Sequence, residues 1–353
     1  MKRKILVFTP SFKFKNIHFK KDVIIIPKII SRIYNLDIYI LTEKNEITYN
    51  NHSEIKLIFS KWLLNNLLNF YKLKPEILFI IHITKITLVY IFLFKIINRK
   101  TKIYLKLDWE SLLDIKSFIK KIAIYFFMIF PDYLSIESKR WYKFIKDNYN
   151  FFSNKFYYLP NGYDPNSYEK YSYWDKDNII ITVSRLWTYQ KNTELFLKIA
   201  KDILEKLNNY KFYLIWPIED DFKKNIEDFF LENPKLINHI IFTWEINNEN
   251  ELKEFYKKSK FFILTSRFDI TPNVYVEAWY YWNIIVSTNV WWANDITNDN
   301  KNWCVFEEEN YKEASNYIIT SIKNNSIKDI WIKSTKYIQD NFKYINYIRN
   351  IFK

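Results

Sequence analysis

Residues 178–186 read Asn-Ile-Ile-Ile-Thr-Val-Ser-Arg-Leu, and residues 191–204 read Lys-Asn-Thr-Glu-Leu-Phe-Leu-Lys-Ile-Ala-Lys-Asp-Ile-Leu. The first is a short β-branched run with the length of a buried strand, Asn178 to Val183. The second opens an amphipathic helix over Asn192 to Leu207. A strand feeding a helix is the unit of a doubly wound parallel sheet, and the pattern repeats in both directions. Downstream, Phe212–Ile215, His239–Phe242, Lys260–Leu264 and Ile284–Ser287 read as further strands with helices between them. Upstream, Lys4–Phe8, Leu36–Leu41, Ile77–Ile83, Lys102–Leu107 and Asp132–Glu137 read as strands. Ile24–Tyr34, Lys85–Ile97 and Ser117–Phe130 read as helices among them, the second of these buried. The break between the two series falls near residues 165–175. The expected architecture is α/β, two doubly wound Rossmann-like domains at 1–166 and 167–335, with a terminal helix in 336–353 that packs back on the first domain.

The composition is globular: 49 % hydrophobic and 26 % charged over 353 residues. That excludes collagen-like and broadly disordered chains. One Cys excludes a disulfide framework and fits a reducing, cytoplasmic setting, and four scattered His show no zinc spacing. Residues 1–166 hold 28 Lys+Arg against 13 Asp+Glu, whereas residues 167–353 hold 25 against 26. The net +14 therefore belongs to the first half. A Lys-rich solvated surface and a face for an anionic partner both fit it. One number is abnormal: a single Gly, Gly162, stands against 13 Trp. A chain of this length ordinarily carries about 25 Gly.

In doubly wound sheets, ligands bind where strands end. Ser184-Arg185 follows the strand quoted above, and Lys191 opens its helix, so Arg185 and Lys191 are placed to hold phosphate. An ordinary surface pair fits the same positions. A second such corner is Thr265-Ser266-Arg267-Phe268-Asp269-Ile270-Thr271-Pro272-Asn273-Val274-Tyr275-Val276-Glu277-Ala278. Thr271 suits an N-cap and Pro272 the first helical position. Asp269 before that helix and Glu277 inside it can accept hydrogen bonds from sugar hydroxyls. Dipole complementation for Asp269 and a solvated helix face for Glu277 are the alternatives.

At these residues the sequence resembles glycosyltransferase family four, whose GT-B fold sets two Rossmann-like domains facing a cleft. Asn161-Gly162-Tyr163-Asp164 resembles the family's P-N-G-V-D junction. Ser184-Arg185-Leu186 through Lys191-Asn192 resembles its donor phosphate-binding Arg and Lys. Asp269 to Glu277 resembles its E-x7-E motif, with Asp in place of the first Glu. The likeness covers most of the second half and, more weakly, the architecture of the first.

The resemblance also gives the Trp residues a meaning. The family carries Gly in the segments that here hold Trp187, Trp216, Trp244, Trp282, Trp291, Trp292 and Trp303; Trp279 is a candidate eighth. We read this as a gene in which UGA encodes Gly but is translated on paper as Trp, in an A+T-rich genome that also explains the wealth of Lys, Asn, Ile, Tyr and Phe. True Trp at these positions is the competing reading. Two indoles at 291 and 292 are then expected to fill the donor crevice.

The resemblance implies a hexosyltransferase that moves a sugar from a nucleotide-sugar donor to a glycan or lipid-linked acceptor, with retention of configuration, in cell-surface polysaccharide or glycolipid synthesis. It implies no cofactor and no metal, since Arg185 and Lys191 meet the departing diphosphate. Glu277 is implied at the nucleotide ribose and Asp269 at the donor sugar. Donor contacts are further implied for Ser184, Thr271, Asn273, Trp291, Trp292, Ala293 and Asn294. Asp108 and His82, at first-domain strand ends, are the acceptor-side candidates. Lys13, Lys15, Lys20 and Lys21, with Lys120 and Lys121, suggest peripheral contact with the inner face of a membrane. No nucleic-acid partner is expected. A catalytically inactive GT-B scaffold and a basic nucleic-acid-binding protein are the rival readings.

Overall fold

In the computed structural model, the described residues are 3–10, 14–15, 18–19, 21–43, 54–82, 84–107, 125, 127–166, 176–186, 188–215, 220–243, 246, 248–269 and 272–352. The chain forms two compact units: Met1–Ser167 with Lys343–Lys353, and Tyr168–Phe342.

The first unit is built on β1 (Arg3–Phe8), β2 (Leu36–Thr42), β3 (Ile55–Phe59), β4 (Ile77–Ile81), β5 (Lys102–Leu107), β6 (Tyr133–Ile136) and β7 (Phe156–Tyr158). These pair in the order β3-β2-β1-β4-β5-β6-β7, all parallel. Alternation along β1 sends Ile5 and Val7 to one core, with α1 (Asp22–Tyr34) and the helix Tyr344–Ile351. Phe8 faces the other way, where its ring lies 4.7 Å from Tyr90 and 5.3 Å from Phe94. Those two belong to α3 (Lys85–Ile97), which packs beside α2 (Leu63–Leu73) through Phe70 stacked on Phe94 at 4.1 Å. The terminal helix returns to the first unit through Tyr344, Ile348 and Ile351. The preceding helix, Ile327–Asn341, stays with the second.

The second unit pairs β8 (Asp177–Val183), β9 (Lys211–Ile215), β10 (Ile240–Thr243), β11 (Ser259–Leu264), β12 (Ile284–Thr288) and β13 (Cys304–Phe306) in the order β10-β9-β8-β11-β12-β13. It too is all parallel. The helix Thr193–Leu204 covers it through Leu195, Phe196, Ile199, Ala200 and Ile203. Both units are thus parallel doubly wound sheets, as expected.

The structure adds and corrects details. β3, α2, β7, β13 and the helix Lys139–Asn148 were not foreseen. α3 is not a buried helix: it buries Thr87, Tyr90, Ile91 and Phe94 and leaves Ile86, Val89, Phe92 and Ile96 exposed. The helix after β11 starts at Asn273, with Pro272 as its N-cap, one residue later than expected; the Tyr275 amide closes its first turn by donating to the Pro272 carbonyl at 3.0 Å. Among the described residues, no helix is long and apolar enough to cross a membrane.

Candidate donor site

The strand order of the second unit reverses between β8 and β11. This is the switch point where the flanking loops diverge and leave a crevice at the carboxyl ends. The loop after β8 carries Ser184, Arg185 and, just before its helix, Lys191. The loop after β11 carries Arg267 and Asp269.

The two loops are joined by hydrogen bonds. The Arg267 amide donates to the Gln190 carbonyl at 2.8 Å, and its guanidinium donates to the Tyr189 carbonyl at 2.8 Å and to Glu308 at 3.1 Å. The same guanidinium lies 4.3 Å from the centre of the Tyr189 ring, a cation–π geometry. Gln190 donates to the Phe268 carbonyl at 3.0 Å and accepts from Arg185 at 3.2 Å. Thr265 donates to the Lys191 carbonyl at 2.9 Å. The turn into the helix is closed by the Thr188 carbonyl, which accepts from the Lys191 and Asn192 amides at 2.9 and 3.2 Å. Asn192 makes this turn at φ 48, the left-handed conformation that Asn tolerates better than other non-Gly residues.

The result places Lys191 Nζ 2.5 Å from Asp269, with side chains 14 % and 17 % exposed. The two side chains form a partly exposed ion pair. Arg185 is exposed, and Ser184 is half-buried behind it. Arg267, quoted in the sequence but given no role there, is a third cation on this corner. Its signal was its position between a strand end and Asp269.

Glu277 sits on the helix Asn273–Tyr280 and accepts from the Tyr256 hydroxyl at 2.9 Å. Burial and the Glu277 carboxylate hold the Tyr256 phenol well above its ordinary range, so it stays a donor. Asn273 is exposed at the helix start. Thr271 lies outside the described residues.

At the end of β12, the amides expected to meet a donor are partly engaged. Val290, Trp291 and Ala293 donate to the Thr288, Asp269 and Val290 carbonyls at 2.8, 3.2 and 3.0 Å. Asn294, half-buried, donates its side-chain amide to Asn289 at 3.2 Å. The Trp292 indole does not fill the crevice. It turns into the core against Tyr275 and Phe342, with its N–H buried and without a hydrogen-bond partner. Trp303 is likewise buried with an unpartnered N–H. Trp282 holds φ 61. It is the residue just past the C-cap of the helix Asn273–Tyr280, where the Trp282 amide donates to Trp279 at 2.8 Å and the Asn283 amide to Ala278 at 2.9 Å. That pair of bonds is the Schellman motif, whose left-handed residue is ordinarily Gly. Trp187, Trp216 and Trp244 lie outside the described residues.

The first unit has its own polar cluster at its carboxyl edge, which sequence reading missed. Lys106, 1 % exposed, pairs with Asp22 and Glu137 and donates to Asn161 at 2.9 Å. Burial alone would lower the Lys106 amine, but the two carboxylates outweigh it and hold the amine well above its usual range. Burial would likewise raise Asp22, yet Lys106 brings it below the usual carboxylate value. His82 lies half-buried just after β4, at φ 68. The cluster spans residues 22 to 161, so no local motif announces it. Asp108, Lys13, Lys20, Lys120 and Lys121 lie outside the described residues.

Comparison with known proteins agrees with the fold. Residues 166–337 match the family described as glycosyl transferases group 1. Among solved structures, a glycosyltransferase from Rickettsia africae superposes with TM-score 0.72 at 16 % identity, over 99 % of this chain and 97 % of its own. Anabaena HepE, solved with UDP and glucose, gives 0.70 at 13 % over 99 % and 98 %. Sucrose-phosphate synthase from Thermosynechococcus elongatus gives 0.68 at 11 %, again over 99 % and 98 %. No curated protein sequence matches. The fold so defined is the two-domain GT-B architecture of these neighbours. The family match lies on the second unit, which is similar to the group 1 glycosyl transferases over residues 166–337.

Proposed function

We propose that the chain transfers a sugar, of hexosyl type, from a nucleotide-sugar donor bound at the β8/β11 switch point to a glycan or lipid-linked acceptor, with retention of configuration, as in family four. The observation that carries this reading is the convergence of Arg185, Lys191 and Arg267 with Asp269 on one corner. As the glycosidic bond breaks, negative charge develops on the departing diphosphate. Arg185 and Lys191 stabilise it directly, in a site whose donors are already oriented. Lys191 exchanges its Asp269 partner for phosphate oxygen, and Asp269 turns to the sugar hydroxyls. Glu277, oriented by Tyr256, takes the ribose. The cations supply the positive charge, so the reaction needs neither metal nor cofactor. The product serves a cell-surface polysaccharide or glycolipid, made by a cytoplasmic protein in peripheral contact with the membrane.

We further infer that the site-bearing Trp residues are glycines of a UGA-recoded gene. Trp282 at the left-handed position of a Schellman motif and the orphaned indole N–H groups of Trp292 and Trp303 support this. Each would be relieved by Gly. Peptide mass spectrometry of the native protein tests it: glycine mass at 282, 291 and 292 is expected, and tryptophan mass overturns it. Hydrolysis of a panel of UDP- and GDP-sugars tests the transfer chemistry. Turnover of at least one donor is expected; no binding and no turnover with any donor would favour the inactive scaffold.

A further inference from the structure

The exposed apolar surface of this protein is concentrated in one place. Among the described residues, 13 of the 18 large exposed apolar side chains lie between Phe59 and Phe151. Most are on α2 and α3, which pack side by side through Phe70 and Phe94 and through the Asn66–Tyr90 hydrogen bond of 2.8 Å. Each helix is apolar on two sides. On α3 one stripe meets the first sheet, through Tyr90 and Phe94 against Phe8, and on α2 it meets α3 through Phe70. The other, Leu64, Leu68 and Tyr71 on α2 with Ile86, Val89 and Ile96 on α3, faces solvent. Leu64 is 73 % and Ile96 60 % exposed. A soluble monomer has no reason to keep two adjacent apolar stripes in water.

Charge says what covers them. Residues 59–100 contain seven Lys/Arg and one acid, Glu76, which is paired with Arg3. Lys61, Lys72, Lys74, Lys85, Arg99 and Lys100 are all exposed. They bracket the helix ends, so the apolar stripes are rimmed by cations whose stems can lie along the same surface. An apolar helical face edged by Lys and Arg matches the headgroup and acyl boundary of an anionic bilayer, which takes both parts at once.

We propose that the α2–α3 face of the first unit is a docking surface for anionic lipid bilayer. This locates the membrane contact of the reading above on α2 and α3, away from the loop around Lys15 and Lys21. It rests on that contact and is independent of the donor chemistry.

Flotation of the full chain with vesicles of phosphatidylcholine, with and without phosphatidylglycerol, tests the proposal. Binding is expected to the anionic vesicles and to fall steeply with added salt. Leu64→Gln/Leu68→Gln/Ile96→Gln should lose at least about tenfold in partition, since each side chain loses its apolar burial. Lys74→Gln/Lys100→Gln should lose about fivefold per cation on anionic vesicles only. All these side chains are exposed, so the melting temperature should hold in both variants. Absence of vesicle binding, or binding equal in the wild type and both variants, overturns the proposal. So does a wild-type dimer, seen by sedimentation, that the apolar substitutions dissociate without vesicle binding ever appearing. Vesicle binding without donor turnover would sink the transferase reading and leave this surface standing; the reverse result would do the opposite.

Discussion

The two sheets share one strand order through six strands, yet their carboxyl edges are built for different work. In the second unit, the cation at the switch point is Lys191, paired with one carboxylate, both side chains still open to solvent. In the first, the cation at the carboxyl edge is Lys106 near the end of β5, sealed with Glu137 at 1 % and 4 % exposure and held by two carboxylates and an amide. Identical topology thus gives a partly open ion pair in one unit and a sealed cluster in the other. The difference lies in burial and partner number, which set whether a charge is a tool or a fastening.

Lys106→Met should have the largest effect. It leaves Asp22 and Glu137 buried without a countercharge and should destabilise the first unit by about 3–5 kcal/mol in denaturant unfolding. The pH response follows from the signs. With Lys106 present, Asp22 is depressed below 3.8, so its contribution exists above that value and is lost as pH falls through the folded pKa. The Lys106 amine is raised above 10.5, so its contribution exists below that value and is lost only at higher pH. In Lys106→Met the buried carboxylates favour protonation, and stability should instead rise as pH falls toward 4. A flat profile in both proteins would erase the contrast between the two edges.

Lys191→Ala should leave the melting temperature nearly unchanged and lower donor turnover by about 10²–10³-fold. A variant that unfolds with no separate kinetic defect would make Lys191 a fastening like Lys106. A smaller effect concerns backbone. Trp282→Gly should stabilise the second unit by about 1–2 kcal/mol, the cost of left-handed φ for a residue with a Cβ; destabilisation would show that the indole is a native part of the packing. The smallest is Arg267→Lys, which keeps the charge but loses the stacked fork over Tyr189. About 0.5–1 kcal/mol of donor binding should go with it, read by titration calorimetry.

Much of the second unit was legible because its chemistry is local. Arg185 and Lys191 lie one loop apart, and Asp269 and Glu277 lie on one strand-to-helix corner. The first unit was legible as a repeating pattern but not as a site. Lys106, Asp22, Glu137 and Asn161 come from four separate places in the chain, and only parallel pairing brings strand ends together. β3 and α2 were missed because Ile55–Phe59 is short and Leu63–Leu73 carries apolar residues on two faces, which blurs the helical period. The same doubled apolar pattern made α3 look buried. The sequence reading expected two indoles in the crevice and did not foresee where Trp292 goes. Packing turned Trp292 inward against Tyr275 and Phe342, away from the crevice.

The central claim is a nucleotide-sugar site on the open edge of the second unit. The direct measurement is binding and hydrolysis of UDP- and GDP-sugars by the full chain made both as written and with Gly at 282, 291 and 292, each with and without Arg185→Ala/Lys191→Ala. The account predicts that the glycine form binds and turns over at least one donor, and that the paired alanines abolish turnover without unfolding it. A glycine form that folds and binds no donor, or alanine variants that turn donor over unimpaired, would contradict it.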